Sequence, residues 1–352
     1  MSSGNFIEKI WYLPRKSWSI FYPIFSFLNL PFLALVKLKR YFYQKGVFSV
    51  NSFEKPVLVV GNISVGCTGK TPFISQLIKQ LNKKNIKCGI VSRGYKAQIT
   101  QFPHQVNSTD TSNQVGDEAF MLFKQMQIPV VIDANRARAV NYLLKNNKVD
   151  IVISDDGLQH YKMSRDLEII LVDSTRMFGN EFILPMGPLR EPVSRCKTVK
   201  FVIQNGARDL EHHGDSRINH QVKIVPKCLV NINSGKEISF DSIKTKSIIA
   251  IAGIGNPQRF FSTLNEIVDV AEKHSFPDHH SFREDDFTHL SRNITHMDKG
   301  SVIIMTEKDA VKCTEFAEEH WYYLRVEMTF KKELIGDLIS KVQQVIKRKN
   351  NG

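Results

Sequence analysis

The sequence predicts an α/β protein with a mostly parallel sheet and helices on both faces of that sheet. Short, almost wholly apolar runs, such as PVLVV at residues 56–60 and VDIVIS at residues 149–154, are typical of strands buried on both faces. Segments with helical spacing alternate with these runs, as at residues 71–81 and 135–144. A helix between two strands returns the chain to its starting edge, so the following strand runs parallel to the first.

The same patterns predict how the chain is organised. Further buried strands are expected at residues 88–91, 129–132, 168–172 and 200–203. A strand at 247–252, a helix at 258–271 and a strand at 301–305 predict a smaller C-terminal α/β unit. We therefore expect an N-terminal helical segment at 1–45, a core at 46–205, a polar connecting segment with strand-like pieces at 206–246, and a C-terminal subdomain at 247–352.

Charge and cysteine content restrict the function and the compartment. The chain has 48 Lys and Arg against 35 Asp and Glu, a formal net charge of +13. This excess favours phosphate-rich partners, which include nucleic acid, nucleotides and anionic lipid surfaces. The five cysteines are scattered and none forms a C-x-x-C pair, which argues against a disulfide framework and a zinc site. A reducing compartment, the cytoplasm, is expected.

The N-terminal region contains an uncharged apolar segment at residues 17–36, SWSIFYPIFSFLNLPFLALV. Twenty helical residues reach about 30 Å, the thickness of a bilayer core. Pro23 and Pro31 bend such a helix, and basic residues flank it on both sides, so no orientation across a bilayer is favoured. We interpret the segment as a bent helix lying in one leaflet. A buried amphipathic core helix and a signal peptide are the alternatives, although no cleavage site follows.

The strongest local signal is GNISVGCTGKT at residues 61–71, between a predicted strand and a predicted helix. In the phosphate-loop pattern G-x-x-x-x-G-K-[ST], backbone N–H groups hold phosphate oxygens, the lysine reaches the β- and γ-phosphates, and the hydroxyl reaches Mg²⁺. The final G-K-T matches here, whereas serine occupies the first position. The motif predicts Mg-ATP binding on a P-loop NTPase-like fold. The expected nucleotide contacts are Ser64, Val65, Gly66, Cys67, Thr68, Gly69, Lys70 and Thr71.

Two acidic motifs are candidates for a magnesium site. Asp155 and Asp156 follow a buried strand, where carboxylates beside a phosphate loop are placed to hold Mg²⁺ or its waters. An ordinary Asp-Asp-Gly turn is the alternative. Asp117 and Glu118 stand at the start of a predicted helix, and acidic residues there often only complement the helix dipole.

Seven motifs together resemble the tetraacyldisaccharide 4′-kinase family of lipid A biosynthesis. They occur in order over about residues 10–315, and the family usually has serine at the first loop position but commonly glycine where Cys67 stands. The resemblance implies transfer of the ATP γ-phosphate to the 4′-hydroxyl of a tetraacylated glucosamine disaccharide 1-phosphate, which gives lipid IVA. The motifs are GNISVGCTGKTP, SRGY, GDEA, SDDGLQH, LPMGPLREP, FPDHH and TEKDAVK.

The resemblance also implies roles for individual residues. Asp117, paired with His279 or its neighbour His280, would activate the acceptor hydroxyl, with His279 favoured. Lys70 and Arg190 would neutralise phosphate charge. The implied Mg²⁺ ligands are Thr71, Glu118 and Asp155 or Asp156.

The family's substrate implies a location and partners. A membrane-embedded acylated disaccharide phosphate and an anionic membrane surface are expected partners, and nucleic acid and an obligate protein partner are not. The expected site of action is the cytoplasmic face of the inner membrane, with the chain peripheral or monotopic.

Other function classes remain as alternatives. A membrane-associated ATPase switch without a small-molecule acceptor fits the basic charge and the phosphate loop equally well. A kinase or ligase of a soluble metabolite leaves the apolar N-terminal segment unexplained. Nucleic-acid binding fits least, because the aromatic residues cluster in that segment instead of alternating with Lys and Arg.

Overall fold

The computed structural model describes residues 11–12, 22–66, 68–206, 215–287 and 301–351. These residues form one sheet of 13 strands. The strands are β1 (Val57–Gly61), β2 (Cys88–Ser92), β3 (His104–Gln105), β4 (Val130–Ile132), β5 (Ile151–Asp155), β6 (Leu167–Asp173), β7 (Phe201–Asn205), β8 (His220–Asn231), β9 (Glu237–Ile238), β10 (Ile248–Ala252), β11 (Glu272–Ser275), β12 (Val302–Thr306) and β13 (Trp321–Phe330).

Helices cover the sheet. They are α1 (Tyr22–Gln44), α2 (Lys70–Asn82), α3 (Ser112–Val115), α4 (Asp117–Met126), α5 (Arg136–Asn146), α6 (Pro257–Asn265), α7 (Glu307–Cys313) and α8 (Lys332–Asn350). The strand order is β11-β10-β12-β13-β8-β7-β6-β1-β5-β2-β4-β3, with β9 paired to β8. Only the pairs β13–β8, β3–β4 and β8–β9 are antiparallel among the described strands. The predicted mostly parallel α/β sheet is therefore confirmed.

The central strands are apolar throughout because both of their faces are covered. In β1, Leu58 and Val60 pack into one hydrophobic cluster, whereas Val57 and Val59 pack into another on the opposite face. Successive side chains of a strand point to opposite faces, so two buried faces require a continuous apolar run.

The segment at 206–246 contributes more regular structure than its polar sequence suggested. Strand β8 is 12 residues long, pairs parallel with β7 at its start, and pairs antiparallel with β13 along most of its length. It thereby joins the strands of the core and of the C-terminal unit in one sheet. Where the domains divide within this sheet stays a prediction.

The helix predicted at 258–271 is shorter in the structure. Helix α6 ends at Asn265, and the chain enters β11 at Glu272. Val268 and Val270 are both buried in the hydrophobic cluster of the C-terminal unit. This alternating burial of β-branched residues favours an extended approach to β11 over further helical turns.

Helix α1 contains the described part of the predicted membrane segment; residues 13–21 lie outside the described ranges. It has 23 residues, with Pro31 inside. The Asn29 Oδ1 atom accepts a hydrogen bond from the Ile183 N–H at 3.0 Å, which attaches the helix to the loop before Arg190. In the ranges the structure covers, no helix combines the length and apolarity needed to cross a membrane.

Candidate functional site

A cleft of about 1400 Å³ lies where strands from both parts of the sheet end. The phosphate loop follows β1, Asp155 and Asp156 stand at the end of β5, and the FPDHH motif follows β11. Parallel strands place their carboxyl ends at one edge, where α/β proteins generally bind ligands. The lining includes Gly66, Thr68, Gly69, Lys70, Thr71, Asp117, Glu118, Asp155, Asp156, Arg190, His279 and Lys308.

The phosphate loop is held in a form suited to binding an anion. Gly66 and Gly69 have φ angles of 99° and 83°, and helix α2 begins directly after Gly69 without a side-chain cap. Asn62 Nδ2 donates to the carbonyls of Ser64 and Gly66 at 2.7 and 3.2 Å. Because Asn62 satisfies these carbonyls, the uncapped N–H groups at the start of α2 can donate hydrogen bonds to phosphate oxygens.

Val65 and Cys67 were both expected to contact the nucleotide. The Val65 N–H donates to the Pro188 carbonyl at 2.8 Å, so in this structure it stabilises the loop instead of facing a phosphate. Cys67 lies outside the described residues.

Lys70, Asp156 and Arg190 form a charged group beside the loop. Arg190 Nη1 lies 2.8 Å from Asp156 Oδ2, and Lys70 Nζ lies 3.6 Å from Asp156 Oδ1. Burial favours the neutral acid, but Lys70 and Arg190 outweigh it and lower the pKa of Asp156 to about 2. Burial likewise opposes the charge of Lys70, yet Asp156, Glu118 and Asp155 raise its pKa above the ordinary value. Two fixed positive charges thus lie beside the loop.

Asp155 differs from its neighbour because no cationic side chain among the described residues forms an ion pair with its carboxylate. It is 1% exposed, and its Oδ1 atom is buried without a hydrogen-bond partner. Burial, followed by repulsion from Glu118, raises the pKa of Asp155 to about 7. A divalent cation near these carboxylates would remove that repulsion, so the residues fit Mg²⁺.

The candidate magnesium site is not a closed protein cage. Among the residues whose placement is described, no three His, Cys, Asp or Glu side chains lie close enough together to hold a metal ion. Mg²⁺ in kinases is commonly held by one or two carboxylates, with water and substrate phosphates completing its shell. Thr71, Glu118 and Asp155 suit this arrangement, whereas Asp156 is already bonded to Arg190.

Asp117 and His279 come together from distant parts of the chain. Asp117 is the first residue of α4, and His279 Nδ1 lies 3.1 Å from its Oδ2 atom. On the other side of the ring, Lys308 Nζ lies 3.1 Å from Nε2. An ammonium group can only donate, so Nε2 accepts and Nδ1 carries the proton that is donated to Asp117. The neighbouring His280 instead pairs with Asp286 at 2.9 Å.

The backbone at His279 is unusual for a residue with a side chain. Its φ angle is 58°, in the left-handed region, and Asp156 has a φ of 51°. Such conformations cost free energy and cluster at functional sites.

The environment of Asp117 keeps its carboxylate charged. Burial alone would raise the pKa of Asp117, but the hydrogen bond with His279 and the charges of Lys312 and Lys308 outweigh it and lower the pKa. Lys312 Nζ lies 3.5 Å from Asp117 Oδ2 and 3.1 Å from Asp309 Oδ1. Asp117 is therefore available as a proton acceptor near neutral pH.

The sequence did not indicate that Lys308 and Lys312 contact this pair. Lys308 and Lys312 are one turn apart on α7, so both reach the same side of the cleft. Their four-residue spacing in the TEKDAVK motif could have indicated that both lysines lie on the same face of a helix. Gln159 was also missed, although it lies in a motif singled out above: its Nε2 donates to Glu191 at 2.8 Å, and its Oε1 accepts from Arg190 at 3.5 Å.

Comparison with known proteins identifies the family. The model of the tetraacyldisaccharide-1-P 4′-kinase family matches residues 21–343. The chain belongs to this family. The match confirms the resemblance drawn from the sequence motifs and the predicted kinase class.

Curated relatives agree with the assignment to this kinase family. The tetraacyldisaccharide 4′-kinase of Legionella pneumophila (strain Corby) is 42% identical over 322 residues, covering 92% of this chain and 93% of the relative. That of Francisella tularensis subsp. novicida (strain U112) is 40% identical over 327 residues, covering 91% and 98%.

A solved structure from the same family has the same fold. The crystal structure described as the apo form of LpxK from Aquifex aeolicus in complex with ATP has a TM-score of 0.75 and 27% identity, covering 92% of this chain and 99% of that chain. The predicted P-loop kinase fold is therefore confirmed.

Proposed function

We propose that this chain transfers the γ-phosphate of ATP to the 4′-hydroxyl of a tetraacyldisaccharide 1-phosphate and thereby forms lipid IVA. The observation that supports this most strongly is the placement of three features on one cleft: the phosphate loop, the Asp117–His279 pair, and the apolar side chains of α1. A cleft of this kind accommodates a phosphate donor, a reacting hydroxyl and an acyl chain. ATP as the donor is supported by the Aquifex aeolicus relative, which was crystallised with ATP.

The site residues have two roles in the transfer: some neutralise phosphate charge, and others remove the proton of the acceptor hydroxyl. Lys70 and Arg190 stabilise the negative charge on the transferred phosphoryl group and on the leaving phosphate. The oxygen of the 4′-hydroxyl bonds to the γ-phosphorus while the bond from that phosphorus to the β–γ bridging oxygen breaks. Asp117 accepts the proton of the 4′-hydroxyl during this step. The products are the 4′-phosphorylated lipid, ADP and a proton that passes from Asp117 to solvent. His279 orients Asp117 through its Nδ1–H group.

Mg²⁺ is part of the proposal. Thr71, Glu118 and Asp155 would hold it, and the ion would neutralise phosphate charge when bound. We expect Glu118→Gln to raise the Mg²⁺ concentration that gives half-maximal binding of an ATP analogue by about tenfold or more, because a charged oxygen ligand is lost. Binding measured by fluorescence over a Mg²⁺ titration checks this.

The matched control for that variant is Asp278→Asn. Both Glu118 and Asp278 pair with Lys308, at 3.4 and 3.5 Å, but only Glu118 is a proposed ligand. An equal shift of the Mg²⁺ titration in both variants would contradict the ligand assignment.

We further propose that the chain is a peripheral protein that acts on an anionic membrane surface at the cytoplasmic face of the inner membrane. Helix α1 exposes large apolar side chains, among them Ile24 (60% exposed), Phe27 (73%) and Leu35 (63%). A contiguous exposed apolar face of this kind indicates an interaction surface. Basic residues follow it at Lys37 and Lys39, which favours anionic headgroups.

The double variant Ile24→Ser and Phe27→Ser is expected to weaken binding to vesicles that contain anionic lipid by roughly tenfold to a hundredfold, because two apolar side chains no longer enter the bilayer. Co-sedimentation with vesicles measures this. The control variant, Gln343→Ser with Gln344→Ser, changes exposed residues of α8 and is expected to bind as the unmutated protein does. Unchanged sedimentation of the α1 variant would argue against this helix as the docking surface.

The acceptor itself is tested with a matched pair of substrates. The tetraacyldisaccharide 1-phosphate in detergent is compared with soluble glucosamine 1-phosphate under the same Mg-ATP conditions. The proposal predicts phosphorylation of the lipid and none of the soluble sugar. Phosphorylation of the soluble sugar would support a metabolite kinase, and release of free phosphate alone would support an ATPase switch.

A further inference from the structure

At both glycine turns of the phosphate loop, a polar side chain from another segment packs against the loop backbone. A methyl group placed on Gly69 would lie 2.2 Å from Asn205 Nδ2, and one placed on Gly66 would lie 2.8 Å from Arg176 Nη1. These distances are well inside van der Waals contact, so each side chain sits directly against the loop backbone. Neither support comes from the loop's own strand or helix.

Asn205 binds the loop in one specific orientation. It is completely buried at the end of β7, and its Nδ2 donates to the Thr68 carbonyl at 3.0 Å. Its Oδ1 accepts from Arg259 Nη2, also at 3.0 Å. The reversed amide would set its oxygen against the Thr68 carbonyl and its NH₂ group against the guanidinium, which are two repulsive contacts. Arg259 therefore selects the orientation that binds the loop.

Arg259 is itself fixed to the core. Its Nη1 donates to Asp173 Oδ2 at 2.8 Å, and Asp173 is 3% exposed at the end of β6. The corner between β10 and α6 also supports the other turn, because Arg176 Nη2 donates to the Gly255 carbonyl at 2.9 Å. Both supports of the phosphate loop thus involve this one corner of the C-terminal unit.

We propose that Arg259 is a positioning residue for nucleotide binding: acting through Asn205, it holds the Thr68–Gly69 turn in the form that accepts the ATP phosphates. The corner between β10 and α6 then sets the nucleotide affinity of a loop that belongs to the core. This inference rests on the proposed binding of ATP. It gives the C-terminal unit a role in binding the donor, in addition to supplying His279 and Lys308.

Arg259 also lines the cleft, so a direct contact with the nucleotide is the competing explanation. The two explanations differ in additivity. If Arg259 acts only through Asn205, replacing it in the absence of the Asn205 side chain does not lower the nucleotide affinity further. If Arg259 contacts ATP independently, its replacement lowers the affinity in addition to the effect of the Asn205 variant.

The test is a double-mutant cycle read by equilibrium binding of a fluorescent ATP analogue. We expect Arg259→Met and Asn205→Ala each to raise the Kd about tenfold, and the double variant to bind no more weakly than the weaker single variant. The KM for ATP should rise in parallel, with the KM for lipid unchanged. Arg217→Met is the matched control: it also removes an arginine paired with a carboxylate, here Asp215 and Glu181, and is expected to leave the Kd unchanged.

The outcomes separate the inference from the proposed function. Unchanged analogue binding in the single variants, or losses that add in the double variant, would overturn the positioning role. Failure of the unmutated protein to bind the analogue would overturn the proposed function and with it this inference. If Arg259→Met does not fold, Arg259→Lys replaces it: lysine keeps the ion pair with Asp173 but cannot also reach Asn205, so the same rise in Kd is expected.

Discussion

Replacing Asp117 with asparagine is expected to lower kcat for lipid phosphorylation by about 10²–10⁴-fold and to leave the affinity for ATP nearly unchanged. The amide has the shape of the carboxylate but cannot take the proton of the 4′-hydroxyl. The amide also keeps an oxygen that can accept a hydrogen bond from His279 Nδ1, which lies 3.1 Å from the carboxylate of Asp117 in the unmutated protein, so the local structure is preserved. Single-turnover transfer and analogue binding, measured on the same preparation, separate the two effects.

Asp278→Asn is the control for this variant, because it neutralises a neighbouring carboxylate that lies 3.5 Å from Lys308 Nζ and 3.9 Å from His279 Nε2, and not on the Nδ1 side of the ring that faces Asp117. It is expected to keep kcat within a few-fold of the unmutated value. A full kcat for Asp117→Asn together with a weakened ATP affinity would contradict the role of Asp117 as proton acceptor.

The second large effect is expected for Lys70→Met, which should reduce kcat by about 10²–10³-fold and also raise the KM for ATP. The Lys70 ammonium is enclosed beside the loop and paired with Asp156. Because little water surrounds it, its attraction to the phosphate charge is only weakly screened. Methionine fills the same space without the charge. Steady-state kinetics at varied ATP concentrations measure both parameters.

Lys79→Met serves as the matched control, since Lys79 lies on the same helix and pairs with Glu327 instead of facing the phosphate loop. Its kinetic parameters should stay close to those of the unmutated protein. Equal losses in the two variants would show that helix α2, and not the position of the Lys70 charge, accounts for the effect.

Much of this arrangement follows from local sequence patterns. The apolar runs predicted most strands, and the G-K-T ending predicted where a phosphate is bound. Because β1 and β5 are neighbours in a parallel sheet, the carboxylates after β5 had to lie beside the phosphate loop. The proximity of Asp117 and His279 was implied only by the family resemblance. Taken alone, the acidic start of α4 was better explained as a helix cap.

The contacts that join the two units could not be predicted, since each depends on segments far apart in the chain. Nothing near Asn205 in the sequence indicates that its amide meets Thr68 on one side and Arg259 on the other. Strand β8 was hard to recognise for a related reason. Only its last four residues and Val222 are buried, and its partner β13 lies almost a hundred residues later, so the intervening residues carry a weak pattern.

The most direct test of the proposed function follows the fate of the γ-phosphate. Purified protein in detergent receives γ-labelled ATP, Mg²⁺ and the tetraacyldisaccharide 1-phosphate, beside the Asp117→Asn variant. Mild acid then removes the labile glycosidic 1-phosphate and leaves a phosphate ester on the 4′-oxygen intact. The proposal predicts labelled lipid formed by the unmutated protein alone, with the label retained after acid. Label found only as free phosphate, or lost from the lipid with the 1-phosphate, would contradict it.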